Sequence, residues 1–418
     1  MTIAAALRAV ATAFAAVALC WSAAAPAAEP IKLGFSMALT GGVALAGKQV
    51  LAALQIWRDD VNEKGGLLGR PVELVFYDDQ SNPSNVPPIY TKLIEIDKVD
   101  LVIGPYATNM VAPAIPVVMS HNMTTVGIQA NAANSEFHYN RYFSILGAGP
   151  EPQKAFSTGF FELAMSHKED LHTIALIGAD AEFSQNALQG ARENLKTYPF
   201  KPVFDRNYPP TTTDYAPIVR AVQAANPDIV YVAAYPPDSV GIIRAANEIG
   251  LVPKLFGGTF IGLLVTQLQE QLGPLMNGLI TTAGTPPSLM RKFPGGTQLQ
   301  SRYQALAATQ GLDPLGYNYP PAGYASAQVL AAGVEGAKSL DQDKIAAYIR
   351  GHTISTVLGD ITFGKDGEWA KTRFYFAQFQ HVASGDLDQF RDAVHEPVLW
   401  PPEFKTGELI YPYGAARK

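Results

Sequence analysis

Cysteine and histidine are scarce in this sequence, and so are the patterns that these residues form in enzymes. Cys20 is the only cysteine among 418 residues, and the seven histidines are scattered without the spacing of metal ligands. Neither a His-Glu-x-x-His motif nor a Gly-x-Ser-x-Gly nucleophile elbow occurs. These absences disfavour a metalloenzyme or an esterase-like enzyme, although a catalytic site assembled from distant residues stays open as an alternative.

Charge is sparse as well. Charged residues make up 16% of the chain, and the net charge of −6 includes no basic block. Because phosphate backbones are bound by clustered Lys and Arg, no nucleic-acid partner is expected. The hydrophobic content of 48% is that of a well-packed globular protein. A chain of this length favours two domains whose cores need no disulfide.

The segment from Gly42 to Lys48 has the spacing of a phosphate-binding loop, but it lacks the final hydroxyl residue. Gln49 stands where that loop needs the Ser or Thr that binds magnesium. We therefore expect no nucleotide and no other cofactor or metal. The neighbouring carboxylates Asp59-Asp60 and Asp78-Asp79 lie at predicted element ends and are interpreted as surface charge.

Residues 1–28 have the organisation of a signal peptide. Arg8 is the only charged side chain in this segment, an apolar run extends over 9–19, and small residues lead to an Ala-x-Ala-like cleavage region at 25–28. The sequence thus predicts an exported protein that begins near Glu29. The alternatives are a membrane anchor and a lipoprotein attached through Cys20. The bulky Leu19 before that cysteine disfavours the lipoprotein.

Strands and helices alternate along the remaining chain. Predicted strands at 31–37, 72–77, 100–104 and 124–128 are separated by helices, and this alternation indicates a parallel sheet covered on both faces. The pattern then begins again, with strands predicted at 173–177, 203–206, 228–233, 254–257 and 279–282. Beyond it come helices, a strand at 373–381 and a tail at 394–413 rich in proline and aromatic residues. The sequence predicts an α/β protein with two lobes of similar layout.

The stretch from Asp100 to Pro116 combines a buried strand, a Gly104-Pro105 stop and a predicted helix that starts near Met110. Thr108 or Asn109 is a suitable N-cap, which leaves backbone N–H groups free to face a small anion such as a carboxylate. An ordinary connecting loop, whose cap serves only the helix, is the alternative.

Polar and aromatic residues also follow other predicted strands. Ligands of open α/β sheets bind outside the carboxyl ends of the strands. The residues in that position are Thr108, Asn109, Gln129, Asn131, Phe183, Tyr235, Thr259 and Phe260. Their recurrence in both halves of the chain predicts a binding cleft between the lobes.

Several segments together resemble a known family. They are GFSMALTGGVALAGKQV, VELVFYDDQSNP, VDLVIGPYATNMVAPAI, VGIQANAAN, VYVAAYPPDSVGIIRAANEIG and GYASAQVLAAGVEGA, and the likeness extends over about 31–380. In order and spacing the chain is similar to periplasmic substrate-binding proteins of the leucine/isoleucine/valine-binding family, which serve ATP-binding-cassette (ABC) importers.

The resemblance implies the type I periplasmic binding fold. Two Rossmann-like lobes with parallel sheets would be joined by three crossings near 145–150, 283–288 and 355–365. The implied division gives 29–147 plus 287–357 to lobe I. It gives 148–286 plus 358–418, with the C-terminal tail, to lobe II.

The resemblance also implies roles for individual residues. Thr108 and Asn131 would hold the ligand's carboxylate, and Gln129 would offer a backbone carbonyl. Phe183 and Tyr235 would come from the second lobe.

Ala46 and Tyr319 match positions that pack against the body of the ligand. Thr259 matches a glutamate that pairs with the ammonium group of amino-acid ligands in the family. Since a buried ammonium without a carboxylate partner is costly, an amino acid is a doubtful ligand. Phe260 and Tyr106 add ring surface, and an aromatic or otherwise hydrophobic carboxylate is the predicted ligand.

We therefore predict a periplasmic, monomeric receptor that closes around one small carboxylate and delivers it to the membrane permease subunits of an ABC transporter. A receptor for a branched-chain or other amino acid, or for an amide, is the nearest alternative. A ligand-sensing module for a membrane signalling partner is another, and an enzyme is the third.

Overall fold

The structure is a computed structural model that describes residues 29–391 and 394–417. The predicted signal peptide and Cys20 lie outside the described residues. Among the described residues, none of the helices has the length and apolar character needed to cross a membrane.

The strands of the described chain are short and mostly buried. They are β1 (Ile31–Met37), β2 (Val72–Asp78), β3 (Leu101–Val102), β4 (Thr125–Ile128), β5 (Tyr142–Ile145), β6 (Thr173–Ala179), β7 (Lys201–Tyr208), β8 (Ile229–Ala234), β9 (Leu255–Phe260), β10 (Ile280–Ala283), β11 (Ile354–Thr356), β12 (Gly359–Ile361), β13 (Tyr375–Gln378) and β14 (Val398–Trp400).

Helices cover these strands. They are α1 (Ala44–Glu63), α2 (Val86–Glu95), α3 (Thr108–Ser120), α4 (Pro152–Met165), α5 (Glu182–Asn194), α6 (Ala216–Ala225), α7 (Pro236–Ile249), α8 (Thr266–Leu272), α9 (Pro287–Met290), α10 (Gly296–Gln310), α11 (Tyr319–Ala337) and α12 (Gln342–Gly351).

The strands of the first half form parallel pairs in the order β2-β1-β3, and β4 pairs with β5. A parallel bridge between Tyr106 and Ile128 joins the two groups, and the Gly104 N–H donates to the Val126 carbonyl at 2.9 Å. β4 therefore lies beside β3. The carboxyl ends of both strands meet at one edge, where the residues 104–109 and 129–131 come together.

The second half is built on a seven-stranded sheet in the order β14-β13-β10-β9-β8-β6-β7. Its members from β10 to β7 are parallel, whereas β13 and β14 add antiparallel strands at the β10 edge. The C-terminal tail was predicted to be ordered but irregular. That prediction was wrong for the part of the tail that forms β14. Tyr413 anchors the rest of the tail: its side chain is 1% exposed, and its ring meets the Phe256 ring edge-on at 5.4 Å.

Buried side chains divide into two cores that correspond to the two sheets. The first core takes residues from 31–145 and 299–369, with Val265 added. The second takes residues from 146–280 and 374–413, with Leu315 added. The chain thus passes between the cores three times: at Ile145–Leu146, between Ile280 and Leu299, and between Trp369 and Phe374. The third of these passages comes later than the 355–365 implied by the family resemblance, because the β11–β12 hairpin and Trp369 still pack in the first core.

The first and third passages touch each other. The Arg373 N–H donates to the Gly147 carbonyl at 2.7 Å, and a Cβ on Gly147 would lie 2.3 Å from the Arg373 carbonyl oxygen. Glycine at position 147 is therefore required by close backbone packing.

Two of the acidic residues that were interpreted as surface charge are instead buried. Asp60 is 5% exposed and contacts the Arg302 guanidinium and the Tyr324 hydroxyl. Asp79 is fully buried and accepts hydrogen bonds from the Ser36 hydroxyl at 2.9 Å and the Ser81 N–H at 3.0 Å. Both carboxylates hold elements of the first core together, so the surface interpretation was wrong for them.

Candidate ligand-binding site

Helix α3 begins at Thr108, and its N-cap position is occupied by Ala107, which makes no side-chain capping bond. The prediction that Thr108 or Asn109 caps this helix was wrong. Their side chains are engaged in tertiary contacts instead. The Thr108 hydroxyl oxygen accepts the Asn131 N–H at 2.9 Å, which joins the loops that follow β3 and β4.

Asn109 connects the first half of the chain to the second. Its Oδ1 accepts hydrogen bonds from the Tyr235 hydroxyl at 2.5 Å and from the Phe183 N–H at 3.2 Å. The Phe183 N–H also lies 3.1 Å from the Tyr235 hydroxyl oxygen. Burial raises the pKa of Tyr235, so its hydroxyl stays protonated and acts as the donor to Asn109. We call this group of three residues the latch.

Asn131 is fully buried between the same elements. Its backbone carbonyl accepts a hydrogen bond from the Asn186 side chain of α5 at 3.0 Å. Its side-chain nitrogen and oxygen are both buried, and neither has a hydrogen-bond partner among the described residues. Because buried amides are nearly always paired, an unpartnered one beside Thr108 is a feature that needs an explanation.

Three non-glycine residues of these loops have a left-handed backbone conformation. Ala107, Gln129 and Ala132 have φ values of 77°, 51° and 54°. Non-glycine residues seldom adopt this region, and such conformations persist where surrounding contacts impose them, often at binding sites.

A cavity of about 90 Å³ lies between the two halves at the carboxyl ends of the strands. It is lined by Tyr106, Ala107, Thr108, Gln129, Ile145, Leu146, Gly147, Phe156, Phe183, Tyr235, Ile261, Leu264, Thr282, Ala283, Gly284, Thr285, Asn318, Tyr319, Leu358, Trp369, Arg373, Phe374 and Tyr375. The structure therefore brings six of the predicted site residues together around one space: Tyr106, Thr108, Gln129, Phe183, Tyr235 and Tyr319.

Aromatic rings form much of the wall. The rings of Tyr106 and Tyr319 meet edge-on at 5.3 Å, and the Tyr319 hydroxyl donates to the Ile261 carbonyl at 3.0 Å. On the opposite side the Phe183 ring contacts the Tyr235 ring at 5.5 Å and the Phe156 ring at 5.4 Å. Rings held in this way present rigid apolar surface to a flat ligand.

The other predicted site residues lie elsewhere. Thr259 and Phe260 are fully buried inside β9, which extends three residues beyond its predicted end at 257. Ala46 is buried in the first turn of α1 and packs in the first core. Asn131 lies behind Thr108, and Asn109 faces a second cavity of about 220 Å³. A contact of these five residues with ligand stays a prediction.

Sequence reasoning missed part of the cavity wall. This part is formed by Trp369, Arg373, Phe374 and Tyr375, which belong to the passage between the two cores and the start of β13. No sequence motif marks these residues. Their position depends on the packing of this passage against Gly147, more than 200 residues earlier in the chain.

A family model described as "Periplasmic binding protein" matches residues 30–386. The chain belongs to the periplasmic binding protein family. Members of this family are substrate-binding receptors of ABC transporters and not enzymes, and they work with the transporter's permease components.

Curated relatives of this periplasmic binding protein are similar over most of their length. The Leu/Ile/Val-binding protein of Escherichia coli K12 is 25% identical over 359 residues, which cover 86% of this chain and 92% of that protein. The leucine-, isoleucine-, valine-, threonine- and alanine-binding protein of Pseudomonas aeruginosa is 24% identical over 343 residues, which cover 82% and 88%. These comparisons and the sheet topology confirm the α/β class and the predicted family.

Solved structures share the fold. A leucine binding protein from Thermotoga maritima has a TM-score of 0.70 at 19% identity, with 85% of this chain and 96% of that chain covered. A solute binding protein from Rhodopseudomonas palustris in complex with benzoate has a TM-score of 0.71 at 16% identity, with 91% and 100% covered. At these identities the likeness extends to the fold alone.

The charges at the cavity of this periplasmic binding protein are asymmetric. None of its lining residues is an aspartate or glutamate, and one of them, Arg373, carries a positive charge. Groups of His, Cys, Asp or Glu that could hold a metal ion are also absent from the described residues. The arrangement can therefore bind, orient and enclose a small molecule, and it favours an anion over a cation.

Proposed function

We propose that this protein captures a small carboxylate with an aromatic or otherwise hydrophobic body and delivers it to the permease of an ABC importer. The observation that carries the proposal is the character of the cavity wall. Aromatic rings surround the space, no acidic side chain lines it, and Thr108 is part of its wall.

The carboxylate is held at the loop that begins α3. The backbone N–H groups of Thr108 and Asn109 donate to no acceptor among the described residues, and a helix N-terminus attracts negative charge. The Thr108 hydroxyl oxygen already accepts the Asn131 N–H, so its hydrogen is available as a donor. The Asn131 side-chain amide is buried and unpartnered, and its backbone N–H holds the Thr108 hydroxyl oxygen in place.

The body of the ligand lies among the rings of both halves, which predicts that binding is coupled to closure. Phe183 and Tyr235 reach the ligand only when the latch with Asn109 is formed. A ligand that gains these contacts in the closed form shifts the hinge equilibrium towards it, and the closed form is the one the permease recognises. The two halves act as the lobes predicted from the sequence, with export to the periplasm directed by residues 1–28.

An amino acid is the second candidate, and the names of the curated relatives favour it. An α-amino acid needs an acidic partner for its ammonium, because a buried unpaired charge is costly. Thr259 stands at the matching position of this chain and is buried inside β9. The absence of an acidic lining residue therefore favours a ligand without an ammonium. Two solved neighbours are complexes with benzoate and with 4-hydroxybenzoate, which supports the aromatic acid as a class compatible with the fold.

The test is a panel of ligands added to the purified protein while its thermal unfolding is followed. A ligand that binds only the folded state at roughly 100 times its Kd adds about 2.7 kcal/mol to the free energy of unfolding, which raises Tm. Benzoate and cyclohexanecarboxylate are expected to raise Tm, whereas leucine, valine and benzamide are not. A strong shift with leucine and none with the acids would refute the proposal.

A further inference from the structure

Arg373 is the only charged residue among those that line the cavity. It lies in the passage between Trp369 and β13, and the neighbouring wall is formed by Gly147, Leu358 and Trp369. Thr108 and the start of α3 belong to a different part of the wall, in the loop that follows β3.

The guanidinium of Arg373 is fixed by neutral groups. It donates to the carbonyl oxygens of Leu358 and of Asp360, the latter at 2.6 Å. It also lies over the Trp369 ring, 4.9 Å from the ring centroid, and over the Phe293 ring at 5.7 Å. Of its five N–H groups two are used, because the two carbonyls take one each.

No carboxylate neutralises this cation. Arg373 forms no ion pair with an acidic residue in the described part of the chain. The Arg373 side chain is only partly exposed, and the planar fork of an arginine matches a carboxylate in a bidentate pair.

Tyr375 is a second feature of the same part of the wall. Its side chain is 2% exposed, and its hydroxyl has no hydrogen-bond partner among the described residues. Burial raises the pKa of Tyr375 to about 12 although the charge of Arg373 lowers it, which indicates that the two groups lie close enough to interact. This part of the wall thus carries a positive charge and a buried hydroxyl without a partner among the described residues.

We propose that Arg373 binds a second anionic group of the ligand, at a part of the wall separate from the loop where Thr108 holds the carboxylate. This inference rests on the proposed function and narrows it. The ligand class becomes an aromatic acid that carries a second acidic oxygen group, of which an aromatic dicarboxylate is the simplest example.

The alternative is a purely structural role, in which Arg373 only holds the turn between β11 and β12. Arg350 is a matched control for that role. It donates to the carbonyls of Gly364 at 3.2 Å and Lys365 at 2.7 Å, and it lies over the Phe143 ring at 5.2 Å, but it does not line the cavity.

The experiment is calorimetric titration of the full-length mature protein and its Arg373→Gln, Arg373→Lys and Arg350→Gln variants. The probes are benzoate, benzene-1,3-dicarboxylate and benzene-1,4-dicarboxylate. Wild type is expected to bind at least one dicarboxylate roughly tenfold more tightly than benzoate, as a charge-assisted hydrogen-bonded pair predicts. Arg373→Gln should remove that preference while its Kd for benzoate changes by less than about threefold. Arg350→Gln should keep the preference.

The inference would be overturned if Arg373→Gln lost affinity for benzoate and for the dicarboxylates by the same factor. A wild type that binds benzoate but neither dicarboxylate would also overturn it. If Arg373→Gln does not fold, Arg373→Lys carries the test: it keeps the charge without the fork, and it should retain only part of the preference. A wild type that binds none of the three acids would refute the proposed function itself, so the two failures are distinguishable.

Discussion

Replacing Tyr235 by phenylalanine tests whether the latch contributes to ligand affinity. The substitution keeps the ring that lines the cavity and removes the hydroxyl that donates to Asn109 at 2.5 Å. In the closed form Asn109 Oδ1 then keeps only the Phe183 N–H at 3.2 Å. A buried hydrogen bond of this kind contributes about 1 to 1.5 kcal/mol, which corresponds to roughly a tenfold increase in Kd.

The effect should appear in binding and not in the stability of the ligand-free protein, because the latch joins the two halves across the cavity. We expect Tyr235→Phe to weaken benzoate binding roughly tenfold in a calorimetric titration. Asn109→Ala should weaken it by a similar factor. The double variant should lose less than the two single losses combined, with a coupling energy of about 1 kcal/mol.

Tyr208→Phe is the matched control. Tyr208 donates to the Asp238 carboxylate at 2.9 Å, and both residues belong to the second half. This variant should lower Tm without ligand and leave Kd unchanged. The reasoning would be refuted if Tyr235→Phe bound benzoate as wild type does, or if the two single losses were strictly additive.

Three further predictions concern the anion site, a buried acid and the tail. Thr108→Ala removes a donor to a charged group, so benzoate should bind about 10- to 100-fold more weakly in a fluorescence titration; an unchanged Kd would exclude Thr108 from the site. Burial raises the pKa of Glu368 to about 8, so above about pH 5 the folded state retains a proton that the unfolded state releases, and stability falls as pH rises towards 8. Because glutamine cannot titrate, the free energy of unfolding of Glu368→Gln, measured in urea, should rise relative to that of wild type by up to about 3 kcal/mol between about pH 5 and pH 7.5. Parallel pH profiles of the two proteins would contradict a protonated Glu368. Tyr413→Ala should cost about 3 to 5 kcal/mol in the same assay because its buried ring anchors the tail on Phe256, and a loss below about 1 kcal/mol would mean that the tail adds little.

The fold class could be predicted from the sequence because the strands are continuous apolar runs between turn residues. The prediction for β1 agrees with the structure at both ends, Ile31 and Met37. Short elements were harder, since β5 has only four residues and was not among the predicted strands. Long-range pairing created β14, which a local pattern of prolines and aromatics does not indicate.

The site was predictable where it follows directly from the ends of strands. Thr108, Gln129, Phe183 and Tyr235 are one to six residues beyond a strand, and parallel strands bring such positions to one edge. Thr259 shows the limit of this reasoning. β9 continues to Phe260 because it pairs with β8 up to Ala234, and a side chain inside a strand lies in the core rather than beyond the edge.

The remaining wall could not be predicted because it depends on tertiary packing. Arg373 follows Phe363 and Trp369, which pair across an isolated bridge, and its position is fixed by contacts with Gly147 and Leu358. The contact with Gly147 joins residues more than 200 positions apart, which no local pattern predicts. The part of the wall with the only charge is therefore the part that a strand-by-strand interpretation misses.

The latch also has a kinetic consequence. Ala107 and Tyr235 line both the 90 Å³ cavity and the 220 Å³ cavity beside it, so they form a shared wall between an inner and an outer chamber. A molecule that leaves the inner chamber by this route has to wait until the Tyr235 hydroxyl separates from Asn109. Its residence time is then governed by the opening rate of this wall, and ligands of different affinity can share a common limit on how fast they depart.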